Sequence, residues 1–91
     1  MAEIDIMIMN DNVYRVTVSA KSITTHDVDV QLTYAQKLTG GKISTEELVK
    51  KSFEFLLQRE ANNSILRRFD LSVIAHYFPE YEREITKHIH S

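Results

Sequence analysis

The chain has 91 residues, 43% of them hydrophobic and 26% charged, with a net charge of −2. That is ordinary globular usage and excludes a disordered tail or a collagen-like repeat, while 11 basic against 13 acidic residues argues against a protein built to grip phosphate backbones. With no cysteine, disulfides, thiolate catalysis and Cys-ligated zinc or iron–sulfur centres are excluded as well. One small domain spanning residues 1–91 is expected, with a sheet-forming part over 1–39 and a helical half over 43–91.

The first forty residues alternate with period two. Ile4, Ile6 and Ile8 form one apolar set, Tyr14, Val16, Val18 and Ala20 a second, and His26, Val28, Val30, Leu32 and Tyr34 a third. Polar residues and methionines fill the positions between, the pattern of strands with one face buried. Asn10-Asp11-Asn12 is a turn signal, and a three-residue loop there pairs Ile8 with Tyr14, Ile6 with Val16 and Ile4 with Val18. A longer turn around 21–25 would pair Val18 with Val28 and Val16 with Val30. The expectation is a three-stranded antiparallel meander that ends at Thr39-Gly40-Gly41, where both glycines stand.

After the glycines the period becomes helical. Ser44 and Glu47 have capping-box spacing and Ile43 and Leu48 staple spacing, so a long helix is expected from Thr45 to about Glu60. Asn62-Asn63 reads as a linker. Ile65, Phe69, Val73, Tyr77, Tyr81, Ile85 and Ile89 recur at every fourth position, a row that no straight helix keeps on one face. Pro79 supplies the break. Asp70 reads as the cap of a helix over 71–77, and Pro79 as the first residue of a final helix. The fold class is therefore α+β: the meander, one long helix and two shorter ones on its even-numbered face.

No apolar run approaches the roughly 20 residues that span a bilayer, and the only early charges are Glu3 and Asp5. No membrane association and a cytoplasmic location are expected. Gly41-Lys42 lacks the first glycine and the Ser/Thr of a phosphate loop, with Gln36 and Ile43 in those places. His88 and His90 point about 200° apart on a helix, so one metal ion cannot readily take both. Asp27 and Asp29 share the wet face of the sheet beside Arg15, and solvation explains them. Arg67-Arg68, Lys50-Lys51 and Arg59 are offset by an equal number of acids in the helical half. No catalytic, cofactor or metal residue is assigned; nucleic-acid association is the runner-up function, and an enzyme with an unrecognised site the third. What favours an interaction module is Met7, Met9 and Val13. These apolar side chains fall on the face that should be wet, where a protein partner or a second copy would cover them.

Phe53-Glu54-Phe55-Leu56-Leu57, Ser64-Ile65-Leu66, Phe69-Asp70-Leu71 and Tyr77-Phe78-Pro79-Glu80-Tyr81 together resemble a set of short bacterial proteins of unknown function. The resemblance covers about residues 44–85 and implies a bacterial origin. It implies no catalytic or binding residue.

Overall fold

The computed structural model describes residues 2–90. Its strands β1 (Glu3–Ile8), β2 (Val13–Ser19) and β3 (Ile23–Asp29) form the antiparallel meander. The first hairpin has the register read from the sequence, with Ile4 facing Val18, Ile6 facing Val16 and Ile8 facing Tyr14. In its turn the Asn10 carboxamide oxygen accepts from the N–H groups of Asn12 and Val13, 3.1 Å each.

The second hairpin differs. Val18 faces Thr24, Val16 faces His26 and Tyr14 faces Val28, a shift of four residues from the expected pairing. The turn is tight, closed by Ala20 N–H to the Ser22 carbonyl at 3.0 Å, and it leaves Ala20 outside the strand. The expected strand through Leu32 and Tyr34 also stops early. Residues Leu32–Thr39 form helix α1, which buries Ala35 and Leu38 and leaves Leu32 exposed. Gly40 therefore ends a helix and not the sheet: at φ 59° its N–H reaches the Gln36 carbonyl, the left-handed terminus that glycine adopts without a Cβ clash.

Helix α2 (Thr45–Leu57) begins as the capping signal predicts, with the Ser44 hydroxyl accepting from Glu47 N–H at 3.1 Å. It ends at Leu57, three residues short of the expected Glu60. Asn62 is no linker: it is buried, and its amide donates to Thr24 Oγ1 at 2.9 Å and to the Ser22 carbonyl at 3.1 Å. A short strand not expected from the sequence, β4 (Arg68–Asp70), then lies parallel to β3 with Phe69 beside Val28. Among the described residues the sheet is thus four-stranded and mixed, in the order β1-β2-β3-β4. Asp70 does cap the next turn, accepting from Ser72 N–H at 3.0 Å, but that turn opens as a 3-10 segment (Leu71–Val73) before α3 (Ile74–Tyr77). The chain breaks at Phe78-Pro79, and α4 (Tyr81–His90) starts two residues after the proline instead of at it.

The helices pack on the even-numbered face of the sheet around Val16, Val18, Val28, Leu48, Phe53 and Tyr81, all completely buried. Polar groups inside are matched. His26 lies in van der Waals reach of Phe53 with ring centroids 5.4 Å apart. The Leu66 carbonyl can only accept, so His26 Nδ1–H donates to it (2.8 Å); in that neutral tautomer Nε2 accepts from the Thr24 hydroxyl (2.8 Å), whose oxygen in turn accepts from the Asn62 amide. No helix among the described residues is long and apolar enough to cross a membrane.

Candidate interaction surface

Alternation sends the odd-numbered residues of β1, β2 and β3 to the face that the helices leave open. One cross-strand row there runs Met7, Arg15, Asp27, Arg68. The Arg15 guanidinium grips Asp27 through two bonds, 2.9 and 3.3 Å, and holds its carboxyl below the usual carboxylate range. Arg68 reaches Asp29 at 3.4 Å. The β3–β4 side of the face is therefore a neutralised ladder of charges, with both aspartates engaged.

The β1 side is apolar. Met7 is 62% exposed and Met9 43%, and Met9 N–H donates to the Val13 carbonyl at 2.9 Å, which sets Met9 against half-buried Val13. The structure thus brings together the three residues expected to form a patch. Ile8, which the alternation assigned to the core, is also exposed (56%), but on the opposite, even-numbered face of the strand. The reason is the placement of α2: Lys50 and Glu54 lie beside Ala2–Asp5, so burial of the even positions fades from Ile4 and Ile6 to Ile8.

β1 is also an open edge. The Met9–Val13 bond marks that pair as hydrogen-bonded, so Met7 and Asp5 also direct their main-chain groups to β2. Ile4, Ile6 and Ile8 direct theirs outward. Glu3 and Asp5 guard the first half of this edge, whereas Met7-Ile8-Met9 carries no charge, proline or bulge. The opposite edge, β4, is only three residues long and has Arg67 and Arg68 at its start.

The remaining candidates do not converge. Arg59 is bound to Glu80 at 3.1 Å and lies over the Phe55 ring, 3.6 Å from its centroid; Arg68 is spent on Asp29. Lys51 shares a groove with Arg59, but Glu54 and Glu84 line the same groove, so the two cations make no basic stripe there. His90 hydrogen-bonds the Leu38 carbonyl through Nε2 at 3.2 Å, tying α4 to α1. Sequence reasoning missed one feature entirely: a cleft of about 160 Å³ between the end of α2, the Ser64–Leu66 segment, β4 and α3, with Glu60 in its lining. Its walls all come from residues 56–78, brought together by the successive turns between α2 and the end of α3, which no single periodic pattern announces. Comparison of the chain with family models, curated proteins and solved structures finds no match.

Proposed function

We propose that this protein is a small interaction module that works by pairing with a second copy of itself along β1. The observation that carries the reading is the open edge with Met7, Ile8 and Met9 consecutive and exposed upon it. Antiparallel pairing about a two-fold axis must set outward-facing residues, Ile4, Ile6 and Ile8, against one another. Charge then selects the register. Centred on Ile4 or Asp5, the pairing opposes Asp5 to the partner's Glu3 or the partner's Asp5, and like charges directly opposite are destabilising. Centred on Ile6, it sets Ile4 against the partner's Ile8, Asp5 against the partner's Met7 and Glu3 against the partner's Met9. No acid faces an acid, and the exposed apolar groups of both copies are covered.

Light scattering across the micromolar to millimolar range tests this. The expected result is a concentration-dependent rise from one chain's mass to two, with amide exchange at Ile4, Ile6 and Ile8 slowing in the same range. A constant single-chain mass refutes the reading, as does dimerisation without protection of these amides.

A further inference from the structure

We infer that the cleft between the end of α2 and α3 is a binding site for small organic ammonium ions with an apolar body, with Glu60 as the counter-charge. It is separate from the β1 edge and goes beyond self-association. Three observations converge on it.

The first is size and lining. At about 160 Å³ the cleft matches the cavity of roughly 150 Å³ that accommodates a benzene-sized guest in an apolar protein interior. Leu56, Ile65, Phe69 and Ile74 form a buried wall, and Leu66 and Tyr77 stand at the rim, 48% and 67% exposed. A ligand seated there would cover two of the large apolar side chains that the fold leaves in water.

The second is Glu60. It is half-buried in this lining, and among the described residues its carboxylate has no hydrogen bond or ion pair. Burial alone pushes its pKa up, with no neighbouring cation to offset the effect. The adjacent Arg59 does not serve, because its guanidinium is held by Glu80 and the Phe55 carbonyl. An unpaired carboxylate in an apolar cleft is stabilised by a cation brought in by a ligand, and it repels an anion of the same shape.

The third is polarity. The 13-residue helix α2 ends at Leu57, next to the cleft; the Arg59 guanidinium already meets its Phe55 carbonyl, and what remains of the negative end of the helix dipole favours a positive group. The exposed Tyr77 ring also lines the cleft, and an aromatic ring attracts a cation.

Phenethylammonium, titrated into the protein and followed by amide NMR, is the test. Saturable shifts confined to the Leu56–Glu60 and Ser64–Phe78 segments are expected, and hydrocinnamate, an anion with a closely similar body, should give none. Glu60→Gln, checked for native fold by circular dichroism, should weaken phenethylammonium binding by more than twofold, and about fivefold is expected for one partly exposed ion pair. Absence of saturable shifts, equal binding of hydrocinnamate, or an affinity unchanged within twofold in Glu60→Gln would each overturn the assignment.

Discussion

Replacing Met7 and Met9 together with glutamate should strongly weaken pairing along β1 while sparing the single chain, because with Ile6 at the centre the new carboxylates face the partner's Asp5 and the partner's Glu3. The exposed portions of the two side chains amount to about one whole methionine per protomer. Two-fold symmetry counts that area twice, so complete cover contributes about 3–6 kcal/mol per dimer, taking about 1.5–3 kcal/mol for each fully buried side chain. Glutamate stems retain a little of this contact. Even half the loss, about 1.5–3 kcal/mol, weakens dimerisation by roughly 10- to 150-fold. Within the single chain the cost is small, because exposed substitutions change stability by about 0.5 kcal/mol or less. A Met7→Glu carboxylate would face Arg15, which is held by Asp27, so no like charge is set against it within the chain. Light scattering gives the dissociation constant, and thermal unfolding of dilute protein checks the fold. A double variant that dimerises as tightly as the parent would refute the reasoning; so would one that loses several degrees of thermal midpoint as a monomer.

The buried Ser52–Tyr81 pair should show strong coupling. Ser52 Oγ donates to the Leu48 carbonyl at 2.7 Å and is 2.6 Å from Tyr81 Oη, so the phenol is the donor to it, in a place where neither side chain is exposed. Ser52→Ala strands that donor and should cost about 1–3 kcal/mol, Tyr81→Phe about 0.5–1.5, and the double variant clearly less than their sum; additivity in urea unfolding would show that the pair does not interact. Acid should destabilise the fold through Asp27, held low by the Arg15 hydrogen bond, and Glu80, held low by its own backbone N–H and by Arg59. Carboxyls depressed in the folded state stabilise it above their unfolded pKa, and that contribution is lost as pH falls through their folded values, below the ordinary carboxylate range. Arg15→Gln should make the decline in urea midpoint over this range shallower, and an unchanged slope would refute the assignment.

What was legible in the sequence was what local pattern determines. The first hairpin's register follows from even apolar positions and an Asn-rich turn, the start of α2 from Ser44 and Glu47, and the break near Phe78 from Pro79. The trio Met7, Met9 and Val13 was legible for the same reason, since period two places it opposite the core. The rest depended on tertiary contacts. Leu32 and Tyr34 continue the alternation of Val28 and Val30, yet Ala35 and Leu38 belong equally to a helical face, and packing against α4 and α2 decides for the helix. There the Tyr34 hydroxyl donates to Glu82 at 2.8 Å. A left-handed glycine at 40 was the missed signal of that helix's end. β4 is too short to alternate and exists because its Phe69 packs near Phe53, ring centroids 6.1 Å apart, beside a strand edge that needs a partner. Asn62 looked like a linker because nothing in its neighbours foretells the carbonyls and hydroxyl of β2 and β3 that it reaches.

Exposed apolar residues scattered singly are normal on any protein, so their grouping is what carries information. Among the described residues, three of the seven large apolar side chains left exposed are consecutive at Met7-Ile8-Met9, and two more, Leu66 and Tyr77, rim the cleft with Glu60. Only Ile23 and Leu32 belong to neither group. The two groups share no residue and are presented by different elements: a bare strand edge suits main-chain pairing, and a concave cleft with one carboxylate suits a small cation. They should therefore behave independently. Met7→Glu/Met9→Glu should leave phenethylammonium affinity unchanged, and Glu60→Gln should leave the mass distribution unchanged. A cross-effect, with ligand affinity falling when the dimer is broken, would require the second copy to complete the cleft, and pairing along β1 with Ile6 at its centre would then be the wrong geometry.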